Sequence, residues 1–534
     1  MTDEFQTNRF RSYSIIILDE AHERTLRTDV LFGLIKNVLV ERDDFRLVIM
    51  SATIDADLFS NYYKNSKVLY VAGRQYPVKI FHSIKQQEDH LDATLITILQ
   101  IHKEEQKGDI LVFLTGQEEI ENCEKILKDT VKFLPAECDT LLIRPIYAAL
   151  SNENQQKVFE KTPDGCRKVV LSTNIAETSI TIPGIKYVID CGLVKVRNFN
   201  SRIGLETLAT EPISQASAGQ RTGRAGREGP GVCYRLYTEE AYEKLEVSQS
   251  PEIKRCNLTS VLLLLKASGV EDIFNFDFIE KPAKSNIISA LEQLFALGAL
   301  DENGELTEEG KLMSVFPVEA QFAKVLIKSK EYACSNEVIS ILSCLSVDTL
   351  FNFPNDKKEE VTLALKKFNN YEGDHLTFLN IIKEFQSQKN GFDWCKENYI
   401  KFRSIKQALV SILTTFLFQP YYVHQDVQKQ LIDLCAQNNI PVTSTSKNEN
   451  ILKCFLSGFF QNVALKQTDG SYKSLVNNQV VHIHPSSGLF LKGADCIMFN
   501  ELVHTKRKYM RNCSILQKDW LYEIGGHYLS RNSI

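Results

Sequence analysis

The sequence predicts an α/β unit on a parallel sheet, then a helical region that opens with a winged-helix unit, then a small β-barrel. Over the first 235 residues, short β-branched apolar runs alternate with longer amphipathic stretches. From about residue 238, helical patterns with turn punctuation take over, and from about residue 450 short strand-like pieces return.

The apolar runs are SIIILDE (14–20), RLVIMSAT (46–53), DILVFLTG (109–116), RKVVLSTN (167–174) and IKYVIDCG (185–192). Apolar strands followed by helical patterns mark a parallel sheet covered on both faces. Several end in polar clusters, DEAH, SAT, TGQEE and STN. Open α/β sheets bind ligands at the carboxyl ends of their strands, so the chemistry is expected along that edge. Helices are expected in NLTSVLLLLKASG (257–269) and in SNIISALEQLFALGALDENGELTEEGKLM (285–313). The DENGEL turn divides the second stretch in two, which suits a winged-helix unit leading into a helical domain. VVHIHPSSGLFL (480–491) and ADCIMFNELVHT (494–505) read as barrel strands.

A chain of 534 residues should hold three to five domains, and 43% hydrophobic residues suffice for real cores. Thirteen cysteines without a CxxC pair exclude zinc-ribbon or finger spacing and read as reduced thiols. No run approaches the roughly 18 apolar residues of a membrane span, so no membrane partner is expected. A net charge of −5 argues against a generally basic surface but leaves a local basic channel open.

Asp19-Glu20-Ala21-His22 directly follows an apolar strand. An acid there can hold a magnesium ion, and its neighbour can orient the attacking water; alone, the motif could equally be an acidic surface turn. Ser51-Ala52-Thr53, in isolation, reads as a capping turn. Gln220-Arg221-Thr222-Gly223-Arg224-Ala225-Gly226-Arg227 is more specific, because arginines at i and i+3 among small residues can reach one phosphate from a single helical turn. Thr173 to Ile182 (TNIAETSITI) offers hydroxyl and amide groups that could grip a backbone without charge.

DEAH, SAT, TGQEE, STNIAETSITI and QRTGRAGR, in this order, resemble motifs II to VI of the superfamily 2 DEAH-box ATP-dependent RNA helicases. The resemblance continues through 223–270 (GRAGREGPGVCYRLY to KASGV), ALEQLFALGALDENGELTEEGKLMSVFPVEA (290–320), EGDHLTFLNIIKEF (372–385), WCKENYI (394–400) and VVHIHPSSGLF (480–490), covering nearly the whole chain. Within the family it is strongest to a nucleolar member linked to ribosomal RNA synthesis, on DILVFLTGQEEIE (109–121) and the EGDH–WCKEN region.

The resemblance implies RecA-like lobes, the first partial, over 1–78 and 79–235, a winged helix over 236–302, a ratchet-like helical domain over 303–445 and an OB-like barrel over 446–534. It implies ATP, or another nucleoside triphosphate, with Mg2+ as cofactors. RNA is the implied partner, with an activating protein on the C-terminal domains, in the nucleus or nucleolus with the cytoplasm as an alternative. It assigns Asp19 and Glu20 to the metal and catalytic water, His22, Ser51 and Thr53 to coupling, and Gln220, Arg224 and Arg227 to the phosphates. Phe159 would stack on adenine, although an aromatic on that helix is more often core. Thr115, Gly116, Ser172, Thr173, Asn174 and Thr178 would touch the RNA backbone, and the stretch between Asn198 and Ser214 resembles a strand-separating hairpin. Pro183 stands where the family often has an acidic ribose contact.

Two departures stand out. The 18 residues before Asp19 contain neither glycine nor lysine, so no GxxxxGK[ST] phosphate loop precedes the DEAH strand. The expectation is a truncated gene model, fragment or splice product, with a shortened regulator or RNA-binding scaffold as the alternative. The apolar stretch VSILTTFLFQPYYVHQ (410–425) is expected to be a translated intron, since Val-Ser can be written GTAAGT and Gln425 CAG, or else a hydrophobic interaction loop.

Overall fold

The computed structural model describes residues 10–529 apart from 52–55, 65, 72, 74–75, 88, 134, 136–137, 148–149, 151, 179, 201–204, 348–349, 352–357, 410–426 and 505–506. Thr53 and the apolar stretch 410–425 therefore lie outside the described residues.

Strands β1 (Ile15–Leu18) and β2 (Arg46–Ile49) pair in parallel, Ile15 opposite Arg46. Ile16 and Leu18 are buried on the side of helix Leu26–Glu41, which Thr25 caps by accepting from the Thr28 N–H. Gly33 lets that helix close on the winged-helix unit, since a Cβ there would sit 2.4 Å from the Phe276 ring. The expected two-sided cover does not hold for this sheet. Ile15, Ile17, Val48 and Met50 remain 58%, 56%, 43% and 42% exposed. The physical reason is that the described sheet has two strands, and its helix-bearing face takes up the packing.

The next lobe meets the expectation fully. Strands β3 (Val78–His82), β4 (Asp109–Phe113), β5 (Thr140–Ile146), β6 (Cys166–Ser172), β7 (Ile185–Asp190) and β10 (Gly231–Arg235) form a parallel sheet ordered β3-β10-β7-β4-β6-β5. Separate cores cover its two faces, one around Ile110, Val112 and Ile189, the other around Leu111, Phe113 and Val188. Between β7 and β10, strands β8 (Leu193–Asn200) and β9 (Leu205–Pro212) make an antiparallel hairpin at the expected place.

Helices Thr259–Ala267, Lys284–Ala296 and Glu308–Val315 surround a Leu300–Leu306 bridge that closes the DENGEL turn. At its tip Gly304 takes φ 78°, the left-handed conformation that glycine adopts freely. Five strands, β11 (Val463–Lys466), β12 (Tyr472–Ser474), β13 (Val480–Ile483), β14 (Cys496–His504) and β15 (Lys508–Ile515), close into a barrel through pairing of β11 with β14. Stretch 480–491 forms less strand than expected, ending at Ile483, because Pro485 has no N–H to continue a ladder and the chain turns there. The hairpin reaches the barrel, with Glu206 on β9 opposite Val503 on β14. One continuous core runs from Phe32 on the first segment through Leu262, Leu326 and Phe455 to Met498 of the barrel. All thirteen cysteines are free.

Candidate nucleotide and RNA sites

The DEAH turn is built from backbone constraints. Glu20 and Arg24 both adopt left-handed backbone, φ 51° and 47°, which non-glycine residues rarely take and which recurs at functional sites. The Asp19 carboxylate accepts the Glu20 N–H at 2.8 Å, and the Ala21 N–H donates to the Met50 carbonyl at 3.0 Å. That bond holds DEAH beside the end of β2, where exposed Ser51 follows Met50. His22 lies with Nδ1 3.5 Å from the Glu20 carboxylate. Asp19 is exposed and Glu20 half-buried, as a carboxylate pair open to a metal would be.

Arg24 anchors the turn from behind. Its guanidinium donates to Asp29 at 2.7 and 3.0 Å and to Glu280 of the winged-helix region at 3.2 Å. Its carbonyl accepts the Glu252 N–H, and the Glu252 carboxylate accepts the Leu26 N–H at 2.9 Å.

Across the cleft, helix Gln215–Gly223 runs into a short 3-10 turn, Arg224–Gly226. Arg221 points inward and is fully buried. It contacts Asp190 at 2.7 Å and Glu177 at 2.7 Å, with Phe113 beneath its guanidinium at 4.8 Å. Arg224 donates to the Ile180 and Glu177 carbonyls, and Arg227 to the Thr181 hydroxyl. Burial and its neighbour Arg227 depress Arg224 to about 10, with the Glu177 and Glu20 carboxylates pulling the other way. Arg227 is lowered by burial and also feels Glu20. The Glu20 charge thus acts on both arginines. Gln220 sits half-buried beside them. Phe159 is 42% exposed at the end of helix Asn152–Phe159, so it is not core.

The residues assigned to RNA divide by exposure. Asn174 is exposed and Thr173 half-buried at the end of β6. The Thr178 hydroxyl donates to Glu23 at 2.8 Å, linking this loop to the DEAH turn. Ser172 is buried and spends its hydroxyl on the Thr173 carbonyl, shaping the turn. Thr115 and Gly116 are also buried. The Thr115 N–H donates to Glu119, whose carboxyl is held down to about 2; burial opposes this, and His90 and Thr115 overcome it.

The sequence reading missed two features. Arg221 is one, although it sits at the same three-residue spacing as the other two arginines. The other is a cavity of about 2540 Å³ bounded by the hairpin, winged helix, helical domain and barrel, with Arg197, Lys366, Ser486, Phe490 and Arg511 on its wall. Among the described lining residues Arg27, Arg197, Lys366, Lys492 and Arg511 are balanced by Glu252, Glu292, Glu319, Asp374 and Glu501, so the wall is not a basic channel.

Asp19 and Glu20 suit a magnesium ion, which commonly takes one or two protein carboxylates and completes its shell with water and phosphate oxygens. Among the described residues no cluster of three or more metal-binding side chains occurs. No described helix is long and apolar enough to cross a membrane.

Four family models match in order. They are the helicase conserved C-terminal domain over 90–229, the helicase-associated winged-helix and ratchet-like domains over 290–318 and 319–378, and the oligonucleotide/oligosaccharide-binding fold over 451–528. The chain is 44% identical over 531 residues to the ATP-dependent RNA helicase DHX33 of Homo sapiens, covering 98% of this chain and 73% of that one. It is 46% identical over 515 residues to the pre-mRNA-splicing factor ATP-dependent RNA helicase prp22 of Schizosaccharomyces pombe, covering 96% of this chain but only 43% of that one. It is 41% identical to the pre-mRNA-splicing factor ATP-dependent RNA helicase DEAH10 of Arabidopsis thaliana, covering 97% of this chain and 78% of that one. With this domain order, and likeness at that level along almost its entire length, the chain belongs to the DEAH-box family of ATP-dependent RNA helicases.

Proposed function

We propose that the protein is the motor of a nucleoside-triphosphate-driven RNA translocase or helicase acting in nuclear RNA metabolism, ribosomal RNA synthesis included. The observation that carries this reading is the hydrogen bond from the Thr178 hydroxyl to Glu23, which ties the loop that Arg224 donates to onto the DEAH turn, with the Glu20 charge acting on Arg224 and Arg227. Asp19 would hold Mg2+ and Glu20 would orient the attacking water. Bound Mg2+ neutralises charge developing on the phosphates. Arg224, half-buried and repelled by the more exposed Arg227, would gain most from a γ-phosphate between the arginines and Glu20. The Thr178–Glu23 contact would report nucleotide state to the RNA-facing loop.

The RNA path follows from the cavity. A strand entering it would meet the hairpin and leave against the barrel, with Thr173 and Asn174 gripping the backbone from the second lobe. The balanced wall implies contact mainly through neutral donors. Affinity for oligouridylate should then fall only gently with salt, with a log–log slope of about −2, since each neutralised phosphate contributes about −0.7 on a single strand. A slope steeper than about −5 would reject this picture of the wall.

The polypeptide joined to a first-lobe segment bearing a GxxxxGK[ST] loop should displace one strand of an RNA duplex with ATP and not without it. Equal displacement in both conditions, or none at all from a folded, RNA-binding sample, counts against the motor. A fluorescent fusion should concentrate in the nucleus, and in nucleoli if ribosomal RNA synthesis is the setting.

A further inference from the structure

The stretch EGDH (372–375), quoted above only for its family likeness, forms a buried clasp between the helical domain and the barrel. Gly373 lies so close to β15 that a Cβ would stand 2.4 Å from the Ser514 Cα. Next to it the Asp374 carboxylate is only 7% exposed and accepts three hydrogen bonds, all from the barrel. These come from the Ser487 hydroxyl at 2.6 Å, the Gly488 N–H at 2.8 Å and the Cys513 N–H at 2.8 Å. Two of the three belong to the turn that follows β13.

That turn is tied at each step. The Ser486 N–H and hydroxyl both donate to His484 Nδ1, at 3.1 and 2.6 Å. The Ser487 hydroxyl, besides donating to Asp374, accepts the Leu489 N–H at 3.2 Å, and Leu489 is sunk in the barrel core. The Phe490 ring is left 41% exposed on the wall of the large cavity. An exposed aromatic ring suits a stacked base of single-stranded nucleic acid, where stacking tolerates any sequence.

We propose that Asp374 is a positioning residue for RNA, fixing the turn after β13 so that Phe490 faces a single strand in the cavity. This rests on the reading of that cavity as the RNA path. A carboxylate is suited to the task because it accepts from two backbone N–H groups and a hydroxyl at once. An amide of the same shape must turn its NH2 toward at least one of those donors, leaving a buried donor unsatisfied. Asp374→Asn should therefore loosen the turn while preserving the packing around it.

The test measures binding of fluorescein-labelled oligouridylate and amide exchange at Gly488 and Cys513. Wild type should bind, and Asp374→Asn and Ser487→Ala should each weaken binding about fivefold, the scale of one lost hydrogen bond, with faster exchange at Gly488. Asn448→Ala loosens the same junction through its contact with Glu372, away from the cavity, and should leave affinity unchanged. Added to Phe490→Ala, Asp374→Asn should cost little more, because both act through one contact. Should Asp374→Asn fail to fold, Ser487→Ala carries the test. Unchanged affinity in the variants, additive losses with Phe490→Ala, or an equal loss in Asn448→Ala would overturn the proposal while leaving the RNA path standing. A folded wild type that binds no oligouridylate overturns the RNA path and this proposal together.

Discussion

Arg221 separates what an arginine motif can and cannot say. From QRTGRAGR alone, residues 221, 224 and 227 share one spacing, and nothing distinguishes the one that turns inward. Its buried partners, Glu177 and Asp190, lie 44 and 31 residues away, so only the fold brings them to it. Removing one side of a buried ion pair leaves uncompensated charge, and Arg221→Met should destabilise this lobe by about 3–5 kcal/mol. Arg227→Ala, at an exposed guanidinium, should change stability by no more than about 0.5 kcal/mol. Chemical denaturation of the two variants checks the contrast, and equal losses would mean that the inward and outward roles are misassigned. Phe159 was ambiguous in sequence because one aromatic on a helix fits either core or surface, and exposure settled that.

At the level of elements, the strands of the second lobe could be read directly, because fully buried parallel strands are continuous apolar runs. The turn after β13 could not. VVHIHPSSGLFL keeps strand-like apolar residues beyond Pro485, yet Leu489 is buried by a turn held from another domain. The same clasp makes a pH prediction. His375 is fully buried between Ser514 and Asn500, both at 2.7 Å, and burial lowers it from the ordinary 6.5 to about 4. Its folded pKa lies below its unfolded one, so the unfolded chain takes up the proton first as pH falls. The stability tied to neutral His375 is complete above pH 6.5 and drains away down to about pH 4, by a total on the order of 3 kcal/mol. Comparing wild type with His375→Gln isolates the imidazole from Asp374, whose carboxyl burial pushes up. A difference that does not change between pH 7 and pH 4.5 would contradict the buried neutral ring.

Across the whole molecule, the domain order was visible because motif spacing and texture changes agree along the chain. The cavity wall was not, since a net charge of −5 says nothing about how five basic and five acidic side chains are distributed around one cavity. The cleft joins groups more than 200 residues apart, with Asp19 and Glu20 on one side and Arg224 and Arg227 on the other. Positioning provides most of the acceleration in phosphoryl transfer, and no GxxxxGK[ST] stretch occurs in this sequence to cradle the triphosphate between them. RNA-stimulated ATP hydrolysis by this polypeptide, alone and joined to a first-lobe segment carrying such a loop, bears on the site most directly. Alone it should hydrolyse ATP no faster than its Glu20→Gln variant. Joined, it should gain RNA-stimulated turnover by several orders of magnitude, on the order expected for restored positioning, and lose it again with Glu20→Gln or Arg227→Ala. Robust RNA-stimulated hydrolysis by the polypeptide alone that Glu20→Gln abolishes, or restored turnover that ignores Arg227→Ala, would contradict a site made of these two halves.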